Sequence, residues 1–389
     1  MCREISLKIA LVTGNYWPRL GGAEAHVKSL ATELAKENVV AVFSLDNPSH
    51  ELVIDPSSNV WIFRASRGIS LKEIIALPGR EGVSQLHKGL DEFAPDVVCT
   101  FTRFYLTTTI AQKWARKRGV AHVHSELGGG YVHSSSSLVN LFSYFFDHAI
   151  GKRILKNSLA VIGLSREAGV FLRKWAKVDA FIVGNGIDID FWGHSKTDRV
   201  LSIEPDNFKR EFLFVGRLVP EKGLPTLLGA LRKLAPIERE NVILNIVVPA
   251  DQLKESNLGK EYSDIAKNLR ISPSPSRNEI RELYGRCVYL NPSTAGEGFQ
   301  TTLLEASASG CYIYSNNVGG AVETIPSDNF GKIFFDNSID NWVEVFRNSS
   351  ITGSDRIDTS SIVNNFGWGI VANRYRLVFE DALHINNQS

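Results

Sequence analysis

Four cysteines are all this chain contains, at Cys2, Cys99, Cys287 and Cys311, and no two form a CxxC pair or stand at finger spacing from a histidine. That set supports neither a zinc knuckle nor a disulfide framework, so buried thiols are expected. Long apolar runs are missing as well: no stretch approaches the roughly eighteen residues that a spanning helix needs. The first residues, MCREISLKIALVTG, carry charge where a secretion signal requires an apolar core. A cytoplasmic location is expected, with peripheral contact at the inner membrane face left open. An excess of one charge is also absent, since the formal net charge is +1, and a nucleic-acid partner is not expected. The balance is uneven, +5 over residues 1–200 (24 Lys+Arg against 19 Asp+Glu) and −4 over the rest (19 against 23). A mildly basic first half suits an anionic acceptor or a membrane surface, and equally a plain solvated one.

What the chain does have is length and alternation. At 389 residues, 43% of them apolar and 22% charged, it exceeds one ordinary core, and two domains are expected. Short apolar runs alternate with amphipathic stretches of helical length, the pattern of βα units around a parallel sheet. Strands are predicted at 8–14, 39–45, 96–101, 120–126, 159–165 and 180–186. A polar stretch at 194–210 reads as a linker. The series then restarts at 211–218, 242–248, 287–293 and 311–316, which predicts a second doubly wound domain. The last stretch places Val371, Tyr375, Val378 and Phe379 at helical spacing, an amphipathic terminal helix.

In such sheets ligands bind where loops leave the carboxyl ends of strands, and the motifs fall there. GNYWPRLGGAEAHV follows the first strand, and Gly21-Gly22 at a helix start would let backbone amides approach a phosphate; a plain turn is the bland alternative. It is not GxGxxG, and no clear acid ends the second strand, although Asp46 lies near that end; both points disfavour a dinucleotide oxidoreductase. FLFVGRLVPEKG places Arg217 and Lys222 after a strand, a fork and a point charge suited to a diphosphate, or else a solvated basic loop. PSTAGEGFQTTLLEASASG reads as a loop with Glu297, then a helix from about Thr301 that carries Glu305 and stops at Gly310. Those carboxylates can accept from sugar and ribose hydroxyls at two ends of one ligand, unless both are merely solvated. Alternation puts His122 and His124 on one face of their strand, with Glu126 at its end. Asp188 and Asp190 form a DxD that better fits a capped turn than a metal site. In SSLVNLFSYFFDHAIGKRILKNS (136–158), Tyr144, Phe145, Ile150, Ile154 and Leu155 are expected to pack on the sheet, and docking on a membrane is the alternative.

In order, the Gly-Gly loop at 21–22, the strand histidine at 124, GLSREAG, VGNGIDIDFW, FVGRLVPEKG, EGFQTTLLEASASG and NNVGGAVETI resemble the family 4 glycosyltransferases over nearly the whole chain. The resemblance implies an α/β GT-B fold, two Rossmann-like doubly wound domains facing each other across a cleft. An acceptor-binding domain would span 1–200 plus the terminal helix 367–389, and a donor-binding domain 201–366. It further implies a retaining transferase that moves a hexose-type sugar from a nucleoside diphosphate sugar to a hydroxyl of a glycan, lipid-linked or small-molecule acceptor. A non-catalytic nucleotide-sugar-binding homologue is the alternative. By position Glu297 and His124 would serve the reacting sugar. Gly21, Gly22, Arg217, Lys222, Phe299, Gln300, Thr301 and Glu305 would bind the donor. No metal and no cofactor beyond the co-substrate is implied. Two departures stand out: Gln300 occupies a position where the family commonly has glycine, and VVPADQLKE replaces a glycine-rich turn.

Overall fold

The computed structural model describes residues 6–19, 21–46, 52–71, 75–131, 137–193, 210–294, 296–349 and 359–388. The chain divides into two compact units, one of Met1–Gly186, Gly296–Phe299 and Trp368–Ser389, the other of Ile187–Ala295 and Gln300–Gly367. The linker read at 194–210 and the serine run at 134–137 lie outside the described residues except for Arg210 and Ser137, and His133 lies outside them too. The short segment 296–299 joins the first unit, a detail no linear division of the chain reveals.

In the first unit the strands are β1 (Lys8–Val12), β2 (Val39–Asp46), β3 (Val53–Asp55), β4 (Val60–Ser66), the hairpin β5 (Ile69–Leu71) with β6 (Ile75–Leu77), β7 (Val97–Phe101), β8 (Ala121–Glu126), β9 (Ala160–Gly163) and β10 (Phe181–Ile182). The main sheet runs β10-β9-β8-β7-β1-β2-β4-β3, and only the edge strand β3 is antiparallel. In the second unit β11 (Arg210–Val215), β12 (Val242–Val248), β13 (Leu269–Pro273), β14 (Val288–Asn291), β15 (Ile313–Asn316) and β16 (Gly331–Phe334) form an all-parallel sheet ordered β13-β12-β11-β14-β15-β16. Strands β7 and β12 are buried along their whole length. Their sequences VVCTF and VILNIVV, apolar but for Thr100 and Asn245, are what a sheet covered on both faces demands. Both sheets are Rossmann-like and doubly wound, and strand order reverses between β1 and β7 in one and between β11 and β14 in the other. Those switch points are where such sheets open a crevice for ligands. Strands β4, β13 and β16 escaped the sequence reading because VWIFRAS, LRISP and GKIF mix charge or proline into short runs.

Alternation along β7 and β8 separates two environments. Thr100, His122 and His124 point to one face. On the other, Ser125 meets Tyr375 of the terminal helix Trp368–Gln388, whose predicted stripe Val371, Tyr375, Val378 and Phe379 is buried. One expectation fails. Ile154 and Leu155 do pack inside, but Tyr144 and Phe145 of the helix Ser137–Phe146 do not reach the sheet, and they are 49% and 62% exposed. The side of this helix turned inward carries instead Ser143, which is buried, and Phe146, whose ring stacks on Phe104 at 5.5 Å, and just beyond the helix Asp147 is buried against Arg103.

Candidate active site

At the switch point of the second unit two loops are clipped together. After β11 the chain runs through Gly216 and the exposed Arg217 into a 3₁₀ turn, Pro220–Lys222, and then the helix Leu224–Lys233. The carbonyl of Glu221 accepts from the Thr294 amide at 2.8 Å and the Ser293 hydroxyl at 3.2 Å, both from the loop after β14. Gly223 has φ of 75°, and a Cβ there would stand 2.3 Å from the Pro292 carbonyl oxygen, so only glycine lets the loops close. Lys222 lies half-buried with its stem along Gly216, where an added Cβ would stand 3.8 Å from the lysine Cδ. The departure VVPADQLKE forms a helix, Ala250–Glu255, and Gln252 accepts from the Leu218 amide at 2.7 Å. The fork and the point charge expected for a diphosphate are thus held at the end of β11.

Beyond β14 the helix Thr301–Ala308 opens with Gln300 as its cap and ends before Gly310, as the sequence predicts. Thr301 is exposed and Glu305 half-buried. Burial pushes the Glu305 carboxyl up to about 7, although Arg277 and the Tyr284 hydroxyl oppose that shift. Arg277 also stacks on Phe191 at 4.2 Å and meets Asp188 at 3.7 Å. Asp188 caps the helix Ile189–Trp192 through the Phe191 amide at 3.1 Å, a structural use of the DxD. Gln300 is 2% exposed, and neither polar atom of its side chain has a hydrogen-bond partner among the described residues. Its backbone amide donates to Gly319 at 3.0 Å, which fixes the residue in place. A buried carboxamide left unmatched costs about 1–3 kcal/mol, and such a group is accounted for when a ligand completes it.

The first unit holds the remaining predicted residues. Gly21 precedes the helix Gly22–Leu34, and nothing lies within 4 Å of a Cβ placed on Gly22, so the fold itself does not require glycine there. His124 is wholly buried. Its Nδ1 shares a hydrogen bond with the Thr100 hydroxyl at 2.9 Å, and its Nε2 faces the Glu126 carboxylate at 3.4 Å. Thr100 also meets His122 at 3.0 Å, which makes His122 a satisfied structural histidine. Glu126 accepts from the Gly128 amide at 2.9 Å and pairs with Arg103 at 3.0 Å. Burial pushes the Glu126 carboxyl up, but Arg103, His124 and the amide outweigh it and hold it at about 2.

Past Glu126 the triple glycine 128–130 lies against the glycine loop 296–298. Gly128 and Glu297 form an antiparallel bridge, and the Gly129 amide donates to Gly296 at 2.9 Å. A Cβ on Gly129 would stand 2.3 Å from the Glu297 oxygen, and one on Gly298 2.3 Å from the Leu127 oxygen. Two bare backbones are therefore needed at this crossing. It sets half-buried Glu297 and buried Phe299 in the same unit as His124, while Gln300, Thr301 and Glu305 belong to the other.

Two buried clusters were not read from the sequence. Arg103, 1% exposed, binds Asp147 at 2.7 Å as well as Glu126, and its guanidinium lies 4.5 Å from the Phe104 ring centre. His26 meets Asn185 at 2.8 Å and Tyr375 at 3.1 Å, and burial lowers its pKa to about 4, so it is neutral. No local pattern marks either cluster, because the partners lie 23 to 349 positions apart.

Comparison with known proteins gives this arrangement a relation. The profile of Glycosyltransferase Family 4 matches residues 20–191 and that of Glycosyl transferases group 1 matches residues 201–349. An uncharacterized glycosyltransferase of Methanocaldococcus jannaschii is 24% identical over 96% of this chain and 98% of its own. Sucrose-phosphate synthase from Thermosynechococcus elongatus has the same fold at a TM-score of 0.70, with 18% identity over 97% of this chain and 99% of that one. Anabaena Alr3699/HepE, solved in complex with UDP, aligns at a TM-score of 0.67 and 17% identity over 96% of this chain and 100% of its own.

Proposed function

Because the chain belongs to the family 4 glycosyltransferases of the two-domain GT-B fold, we propose that it transfers a hexose-type sugar, with retention, from a nucleoside diphosphate sugar to a hydroxyl of a glycan, lipid-linked or small-molecule acceptor. The observation that carries this reading is the clipped pair of loops at the β11/β14 switch point. It fixes Arg217 and Lys222 beside the loop that leads to Gln300 and Glu305. A relative of this fold holds UDP, a ligand of the same nucleoside diphosphate class.

In this reading Arg217 and Lys222 bind the two phosphates, with Gly21 and Gly22 offering backbone amides to them. Glu305 accepts from the ribose hydroxyls, and Gln300 meets the transferred sugar with Phe299 and Thr301 beside it. As the bond between the anomeric carbon and the phosphate oxygen breaks, its electron pair goes to the diphosphate. The cations and amides stabilise the charge that develops there. The acceptor oxygen bonds on the same face, and its proton passes to the departing phosphate oxygen. Glu297 holds and stabilises the sugar. His124, expected at the sugar, works from behind by orienting Glu126 and the glycine crossing. The residues present supply the positive charge this step needs, so the reading includes no metal and no further cofactor.

The test is incubation of the purified protein with a panel of nucleoside diphosphate sugars, with and without chelator, followed by mass spectrometry of products. Slow donor hydrolysis with an unchanged rate under chelation is expected. Neither turnover nor binding with any donor would end the proposal.

A further inference from the structure

We propose that the helix Ser137–Phe146 and the basic turn after it form a dock for the surface of an anionic lipid bilayer. The inference is independent of which sugar is moved. The helix is inside out. Leu138, Leu141, Phe142 and Phe145 follow i, i+3, i+4, i+7 spacing, which in an ordinary surface helix marks the face turned to the core. Here that stripe faces solvent, with the four side chains 79%, 54%, 63% and 62% exposed. The opposite side carries Ser143, which is buried, and Phe146, which stacks on Phe104 at 5.5 Å, and Asp147, one residue past the helix, is buried in its pair with Arg103 at 2.7 Å. Tyr144, which has an apolar ring and a polar tip, flanks the stripe at 49% exposure. A contiguous apolar face of this kind on a water-soluble surface marks a contact site.

Charge selects the occupant. Between Leu127 and Ser165 the sequence has one acid, Asp147, and three bases, Lys152, Arg153 and Lys156. That acid is turned into the fold, where it shares Arg103 with Glu126. Arg153 and Lys156 are exposed on the helix Lys152–Lys156 that continues from the stripe. An apolar stripe with cations beside it is the pattern of a helix lying in the headgroup layer, and juxtamembrane bases add attraction to anionic lipid. A second copy of the chain fits less well. A symmetric pairing sets the same patch against itself, and the one carboxylate of this segment, Asp147, is already paired with Arg103 and buried. Among the described residues no helix is long and apolar enough to cross a membrane, so the contact is peripheral.

The experiment is flotation of the full chain with vesicles of phosphatidylglycerol and phosphatidylcholine in equal parts, against vesicles of phosphatidylcholine alone, at low and high salt. Wild type is expected to float with the anionic vesicles and to partition about tenfold less onto neutral ones or in high salt. The triple variant Leu141→Ser, Phe142→Ser, Phe145→Ser should lose anionic-vesicle binding by about tenfold or more, and the pair Arg153→Glu, Lys156→Glu should lose the lipid-charge preference. All five side chains are exposed, so unchanged thermal midpoints are expected and certify the fold. Wild type that fails to float, or a triple variant that floats as wild type does, overturns the dock. So does a wild-type dimer in sedimentation equilibrium that the triple variant turns into a monomer, since the stripe then serves a second copy.

Discussion

Glu305→Gln is the sharpest perturbation, because burial pushes this carboxyl up to about 7 from an ordinary 4.5. Below pH 4.5 the group is protonated in both the folded and the unfolded chain. Between 4.5 and 7 the unfolded chain has lost the proton that the folded one retains, so stability falls as pH rises. Above 7 the folded chain holds a charge partly withdrawn from water, at a cost of at most about 3 kcal/mol. Glutamine removes that cost but keeps an amide that still needs partners, so the variant should gain about 1–3 kcal/mol at pH 8. It should gain little near pH 4. Urea unfolding of the ligand-free protein at the two pH values measures this. Ligand binding should move the other way. Ribose hydroxyls donate to the ionised carboxylate, so wild-type affinity for a nucleoside diphosphate sugar should fall about tenfold for each pH unit below 7. The variant should bind weakly at every pH and lose that slope, as read by calorimetric titration. A variant with the wild-type pH slopes, or with wild-type affinity, would refute the assignment of Glu305 as a half-buried hydroxyl acceptor.

Other substitutions separate the remaining roles. Lys222→Ala should weaken donor binding by about 1.5–3 kcal/mol, the worth of a hydrogen bond to a charged group, whereas Glu297→Ala should lower kcat more than it lowers nucleotide affinity; equal losses in both quantities from both changes contradict the division. Gln300→Gly removes a carboxamide that has no hydrogen-bond partner among the described residues, so stability should hold or rise while the ratio of kcat/KM between competing donor sugars changes; an unchanged ratio excludes Gln300 from sugar selection. Arg103→Ala leaves Glu126 and Asp147 buried without their cation and should cost about 3–5 kcal/mol of stability, measured by urea unfolding of the first unit's tryptophans.

The sequence by itself determined a good deal. The apolar runs at β1, β2, β7, β8, β11, β12 and β14, the helix that begins at Thr301, the stripe of the terminal helix and the ordered motifs were all legible, because each is a local signal: a short apolar run, a 3.6-residue period or a motif closed by a turn residue. Those signals were enough for the doubly wound architecture and the family. Tertiary structure alone decided the rest. No spacing says that the triple glycine 128–130 lies along 296–298, and that crossing is what places Glu297 in the first unit. The desolvation that raises Glu305 comes from side chains gathered by the fold, and so does the unmatched carboxamide of Gln300. The helix Ser137–Phe146 is the clearest case. Its amphipathic period was readable, but periodicity cannot tell which face points inward. The fold buries Ser143 and pairs Asp147 with an arginine 44 positions away, and it leaves Leu138, Leu141, Phe142 and Phe145 in water.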